Sequence, residues 1–305
     1  MTWIVELPSE AYPAQLAADL SGGGQYDFET ARAMMWLSQL AYETDEKKVD
    51  DILQRWRLTR TSTLQSAAGG PTSTRGFVAV GRGGSIAAFA GTDPLVPRNW
   101  LTDFNASRID DVHAGFEAAV SSVASQLRQA VEGRDADVER LFFTGHSMGA
   151  ALAAIAAKQL NDAGVAAVYT FGMPRCGGDT FARDYDALQE RTYRLVHGDD
   201  IVPTVPPPEL GFRHVGRLLR CVHGGSFDPA AQPDAAPSNE PILASTLLSG
   251  FRSVLGSVID LVPPAATQPG KLGQALRFLP PAIGDHIPSQ YLRALGFQLS
   301  LPASE

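Results

Sequence analysis

The sequence predicts an α/β fold in which a mostly parallel central sheet is flanked by helices. Three observations predict it. Between residues 141 and 196, short β-rich runs alternate with helical stretches, which implies parallel strands joined by right-handed crossovers. The run Leu141 to Thr144 is continuously apolar or β-favouring, as suits a strand covered on both faces. Finally, Gly-His-Ser-Met-Gly stands where that strand gives way to an Ala-rich helix, with Ser147 between Gly145 and Gly149. A chain of 305 residues with 44% hydrophobic and 19% charged side chains can bury a substantial core. We read 1–305 as a single domain.

The elements follow in order. Residues 28–44, "FETARAMMWLSQLAYET", carry Ala33, Leu37, Leu40 and Ala41 at helical spacing. Phe77 to Val80 and Ile86 to Phe89 are β-rich and flank Gly81, Gly83 and Gly84, which predicts a hairpin. Phe116, Val120, Val123, Leu127 and Val131 predict one helix over 114–132, ended by Gly133. Met148 to Gln159 reads as a helix, Val165 to Phe171 as a strand, Thr180 to Leu188 as a helix and Tyr193 to Val196 as a strand. The stretch 228–241, rich in Pro, Ala and Asp, reads as a surface loop. Beyond it, 241–262 places Leu243, Leu247, Phe251, Val254, Leu255, Val258 and Val262 at helical spacing with few polar partners. It reads either as a core helix or as an apolar lid or pocket wall.

Several classes are excluded by composition. A net charge of −8 speaks against a nucleic-acid partner, which would require a basic surface. Cys176 and Cys221 are too few for a disulfide framework, and form either one bridge or two buried thiols. No C-x-x-C or His-x-x-x-His spacing suggests a metal site, and no cofactor is implied. The opening "MTWIVELPSEAYP" lacks a basic leader and has a charge in its only apolar run, so it is not expected to act as a signal peptide. The expected location is the cytoplasm, or outside the cell by another export route. No run reaches 18 apolar residues, so no integral membrane segment is expected.

A serine alone at a strand-to-helix seam is the pattern of a nucleophile elbow. The sharp turn lifts the hydroxyl above the sheet, and the flanking glycines allow neighbouring backbones to approach. A serine hydroxyl needs a base, and the base needs an orienting acid. For this motif both follow the nucleophile in the chain, the acid first. In "HGDDIVPTVPP" a strand ends at His197-Gly198 and delivers Asp199 and Asp200. Asp200 is preferred as the acid, with Asp199 as the turn residue. The base comes from His214, His223 or His286. His286, in a late Gly-Asp-His-Ile-Pro loop before a short helix, fits the position best, with His223 as the alternative. His146 points away from Ser147 beneath the turn, and His113 and His197 read as structural. An oxyanion needs at least two donors. The Met148 N–H, at the helix start, is one. Thr92, following Gly91 at the end of an early strand, is the other.

Together these motifs resemble the class 3, fungal-type lipases of the α/β-hydrolase superfamily, from about residue 30 to 295. The resemblance is carried by "AAFAGTDPLVPRNWLTDF", "DVHAGF", "FTGHSMGAALA", "YTFGMPRCGG", "HGDDIVPTVPP", "FRHVG" and "GDHIPSQY", in that order. It implies the α/β-hydrolase fold, with Ser147 as nucleophile, Asp200 as acid, His286 as base, and Thr92 with Met148 as the oxyanion hole. Asn99, Trp100 and Asp103 match the family's Asn-Trp-x-x-Asp segment, and Asp103 would position Thr92. Ala90 stands where the family often has Arg, and no family motif falls between Phe227 and Gly284.

The resemblance further implies a hydrolase cleaving carboxylic esters of lipids, at an oil–water or membrane interface, with triacylglycerol as the default substrate. Phospholipase A1, feruloyl esterase and short-chain esterase activities are alternatives, because fold and triad do not set acyl specificity. An inactive binding module of the same fold is the reading outside enzymes.

Overall fold

The computed structural model describes residues 6–16, 18, 20, 24–68, 72–91, 107–133, 140–234 and 281–299. Nine strands are found among them: β1 (Thr59–Gln65), β2 (Arg75–Gly81), β3 (Gly84–Phe89), β4 (Arg108–Ile109), β5 (Val112–His113), β6 (Leu141–His146), β7 (Val165–Phe171), β8 (Thr192–His197) and β9 (Arg217–Cys221). Seven form one sheet in the order β1-β2-β3-β6-β7-β8-β9, and β4 pairs with β5 alone. The hairpin β2–β3 and the pair β1–β2 are antiparallel, whereas every pairing from β3 to β9 is parallel. This is the α/β-hydrolase fold, with its mostly parallel central sheet flanked by helices.

The helices are α1 (Phe28–Leu40), α2 (Glu46–Arg55), α3 (Ala114–Ser121), α4 (Ala124–Glu132), α5 (Met148–Gln159), α6 (Asp179–Asp184), α7 (Asp186–Gln189), α8 (Pro281–Gly284) and α9 (Pro288–Ala294). They cover both faces of the sheet. On one face Trp36, Leu37, Ile52, Phe142, Tyr169, Tyr193 and Tyr291 share a core with α1, α2 and α9. On the other, Phe89, Phe143, Val168, Phe116 and Leu127 pack with α3, α4 and α5. Adjacent residues such as Phe142 and Phe143 enter opposite cores because side chains alternate across a strand. All six residues of β6 are buried, which is why the strand reads as continuously apolar or β-favouring rather than alternating.

Three predicted helices end or break earlier than expected, each for a local reason. The helix at 28–44 starts on the Asp27 carboxylate, which caps the Thr30 N–H at 2.7 Å. It ends at Leu40, where Tyr42 and Glu43 donate to Gln39 and Leu40 in a tightened turn. The helix at 114–132 is two helices. The Ala119 carbonyl, which would accept the Val123 N–H, is occupied by the Ser122 hydroxyl at 2.7 Å and the Thr74 hydroxyl at 3.0 Å. Val123 therefore turns back to Val120, and the chain restarts at Ala124. The helix at 180–188 breaks at Tyr185, whose buried hydroxyl bonds Thr192 of β8 at 2.9 Å. Cys176 and Cys221 are separate buried thiols, pushed up to about 12 and about 11 by burial.

Candidate active site

The carboxyl ends of β3, β6, β7 and β8 lie side by side, with Phe89 opposite Gly145, His146 opposite Phe171, and Phe171 opposite Leu195. Loops leaving this edge deliver residues to one place, as open parallel sheets do. Ser147 follows β6 directly and opens α5 at φ 61°, ψ −131°. That left-handed backbone costs a non-glycine residue about 1–3 kcal/mol. It is held by the Ser147 N–H donating to the Phe171 carbonyl at 2.9 Å and by the first turn of α5, where Ala150 N–H reaches the Ser147 carbonyl at 3.0 Å. The flanking glycines are required by contact. A β-carbon at Gly145 would strike the Gly149 carbonyl, and one at Gly149 would stand 2.7 Å from the Ala90 carbonyl carbon.

The structure brings Ser147, His286 and Asp200 together. Ser147 Oγ donates to His286 Nε2 at 2.8 Å, and His286 Nδ1 donates to Asp200 Oδ2 at 2.9 Å. All three are buried. The two aspartates are separated plainly. Asp200 is buried and faces the imidazole, whereas Asp199 is exposed. Asp200 Oδ1 accepts the Val202 N–H at 2.9 Å, so the loop's own backbone sets the carboxylate plane. Of the other histidines, His214 donates through Nε2 to the Pro203 carbonyl at 2.8 Å, and His223 pairs with Asp285 at 2.7 Å. Met148 begins α5, so its N–H lies in the first turn, where no intrahelical acceptor exists. Gly91 leaves β3 against the elbow, and a β-carbon there would stand 3.0 Å from Ser147 Cβ. Thr92, Asn99, Trp100 and Asp103 lie outside the described residues, as does 241–262.

Beneath the serine, His146 is fully buried, and its pKa is pushed well below the usual histidine range by burial and then by the charge of His286. It is therefore a neutral ring. Its Nε2 donates to the His286 carbonyl at 2.7 Å, which leaves Nδ1 to accept the Tyr42 hydroxyl at 2.8 Å. The residue beside the nucleophile thus holds the backbone of the proposed base.

Two contributors escaped the sequence reading. Tyr291 donates its hydroxyl to Asp200 Oδ2 at 2.5 Å, and accepts the His197 N–H at 3.2 Å. Burial, reinforced by the charge of Asp200, raises its pKa well above that of free tyrosine and keeps the proton on oxygen. The signal available was a tyrosine in the short helix after His286. Gly172, just past β7, has φ +59°, and a β-carbon there would stand 2.7 Å from Asp200 Oδ2 and 3.0 Å from His286 Nδ1. Nothing local in "TFGMP" marks it.

A family profile described as "Lipase (class 3)" matches residues 86–210, which include the elbow and Asp200. Over that stretch the chain is similar to the class 3 lipases. Among curated relatives, "Secreted mono- and diacylglycerol lipase 1" of Fusarium solani is 39% identical over 127 residues, covering 38% of each chain. "Secreted mono- and diacylglycerol lipase LIP4" of Malassezia restricta is 36% identical over 133 residues, covering 37% of this chain and 44% of its own. The matched part thus spans roughly two-fifths of those relatives' length. Among solved structures, the mono- and diacylglycerol lipase of Aspergillus oryzae superposes with a TM-score of 0.58 at 20% identity, over 74% of this chain and 91% of that one. The lipase of Rhizopus microsporus var. chinensis gives 0.52 at 24% identity, over 67% and 75%. Both likenesses concern the fold. No helix among the described residues is long and apolar enough to cross a membrane.

Proposed function

We propose that this protein hydrolyses carboxylic esters of lipids through an acyl-enzyme on Ser147. One observation carries the reading: a serine held in a strained turn at a helix N-terminus, bonded to a buried imidazole that is bonded to a buried carboxylate. In this scheme His286 takes the Ser147 proton as Oγ attacks the ester carbonyl. Asp200 stabilises the imidazolium, and the Met148 N–H and Thr92 bind the oxyanion, with Asp103 and Trp100 supporting Thr92. His286 then protonates the leaving alcohol. Water, deprotonated by the same imidazole, releases the fatty acid and restores Ser147.

The substrate class proposed is the acylglycerols, supported by the names of the curated relatives. A fluorophosphonate should label Ser147 and no other serine. Ser147→Ala should lose several orders of magnitude in kcat on p-nitrophenyl butyrate. Labelling mapped to a different serine would sink the reading.

Action at an oil–water interface is proposed from the apolar stripe at 241–262. Leu247→Asp combined with Phe251→Asp should spare p-nitrophenyl butyrate hydrolysis and sharply reduce activity on emulsified dioleoylglycerol. Joint loss of both activities would make the segment core.

A further inference from the structure

Asp285 precedes His286, and Asp199 precedes Asp200, and the structure bonds these two preceding residues to each other. Asp285 Oδ2 accepts the Asp199 N–H at 2.8 Å. The same oxygen accepts Nδ1–H of His223, from the loop after β9, at 2.7 Å. The Asp285 carbonyl accepts His197 Nδ1 at 3.2 Å, and its N–H donates to the Pro281 carbonyl at 2.8 Å. A single carboxylate, 3% exposed, thus ties three loops together at the point where two of them present the acid and the base. Gly198 makes the approach possible: a β-carbon there would strike Asp285 Oδ2 and stand 3.0 Å from His223 Cα.

From this geometry we infer that Asp285 is a positioning residue, which fixes the register of His286 against Asp200 through a second link parallel to their own hydrogen bond, with His223 as its side-chain donor. The inference rests on the functional reading above. The Asp285 carboxylate bonds the Asp199 N–H and His223, whereas the His286 imidazole bonds Asp200 and Ser147. The effect of Asp285 is exerted through the backbone of 198–200 and of 285–286. A buried carboxylate is costly unless its lone pairs are satisfied, and here the satisfying donors are one from the acid's loop and one imidazole. His223 is exposed, and the hydrogen bond to Asp285, with the charge of that carboxylate, raises its pKa above the ordinary range. A protonated His223 would make this pair a charge-assisted hydrogen bond. The other ionisable groups facing Asp285 are His197 at the end of β8, Asp199 on the acid's loop and Cys221 at the end of β9.

Misplacing a base by a fraction of an ångström lowers the chemical step without changing ground-state binding. The test measures p-nitrophenyl butyrate hydrolysis at pH 6 to 7 by wild type, Asp285→Ala, Asp285→Asn, His223→Ala and His223→Gln. Turnover is expressed per serine titrated with a fluorophosphonate, so that unfolded protein does not count. Asp285→Ala should lower kcat roughly a hundredfold with KM within about twofold. Asp285→Asn, which keeps an acceptor oxygen, should recover most of that loss. His223→Ala should lower kcat severalfold, and His223→Gln, which keeps an N–H donor, should restore it. Wild-type kcat in Asp285→Ala overturns the inference. If that variant does not fold, wild-type kcat in His223→Ala overturns it instead. If Asp285→Ala folds and loses kcat while His223→Ala does not, the part assigned to His223 is overturned. A wild-type protein that neither labels nor turns over the ester overturns the functional reading, and this inference with it.

Discussion

Asp200 carries more than its bond to His286. Its Oδ2 takes both the imidazole N–H and the Tyr291 hydroxyl, and its Oδ1 takes a backbone N–H. A carboxylate so fully occupied has one orientation. Tyr291→Phe keeps the ring that packs between Phe171 and His146 and removes only the hydroxyl. A hydrogen bond to a charged group is worth about 1.5–3 kcal/mol, and part of that should appear in the chemical step. We expect kcat on p-nitrophenyl butyrate to fall about tenfold with KM little changed, a split of about 1.4 kcal/mol. An unchanged kcat would show that the hydroxyl only fills space. Gly172 gives a sharper case. Gly172→Ala places a methyl group against Asp200 Oδ2 and His286 Nδ1 at a positive φ. The backbone term is about 1–2 kcal/mol of stability, and near-complete loss of ester hydrolysis is expected beside it. Soluble, folded Gly172→Ala with wild-type turnover would mean that the loop yields.

At the scale of elements, legibility followed burial and local chemistry. The hairpin β2–β3, the strands β6, β7 and β8 and the helix α5 were readable because their apolar runs are bounded by glycines or polar turns. β1 was not: its residues "TRTSTLQ" are mostly exposed or half-buried, so an edge strand shows no alternation to read. α2 is short and highly charged, and its signal is the Asp45 carboxylate that caps Lys47 and Lys48. The break between α3 and α4 depends on Thr74, which reaches Ala119 from a different part of the chain. A helix-period pattern cannot reveal that. The candidate site divides in the same way. Ser147 was readable from its own turn, whereas position alone favoured His286 but left His223 as an alternative until the family resemblance was added. Tyr291 lies 91 positions from Asp200, Gly172 lies 28 from Asp200 and 114 from His286, and His146 lies 140 from His286, so no single segment encodes these contacts.

For the molecule as a whole, three buried histidines set the direction of acid sensitivity. Burial pushes His113 down to about 4 and takes His146 and His214 well below the usual range. In the unfolded chain each takes a proton near its ordinary value of about 6.5. Folded-state values lie lower, so the unfolded state binds more protons as pH falls below about 6.5, and stability falls with it. His223 has the opposite sign, since its raised pKa favours the folded state at low pH, but it is exposed and weighs less. Urea midpoints measured from about pH 8 to about pH 4 should be level at first and decline below about pH 6.5. A midpoint that holds steady to pH 5 would contradict this. His146 lies under the serine and His214 beside the acid's loop, so the same descent should reach the site.

The distance along the chain between the partners has a consequence for how such a protein is made. Asp200 and His286 are 86 positions apart, and Ser147 and His286 are 139 apart. At synthesis rates of about 5–20 residues per second, the interval of 86 residues lasts about 4–17 s. From Cys221 onward the nascent chain owns every described strand of the sheet, and a serine without its proposed base. The last described segment, 281–299, seats itself through Tyr291, Leu292 and Leu295 in the core beside α1, and only then supplies the imidazole. Under the proposed mechanism the order of emergence from the ribosome therefore acts as a safety catch. On that mechanism, a chain cut between residues 222 and 280 would hold every described strand but no base, and the missing stretch, added back as a peptide, would be the key that arms it.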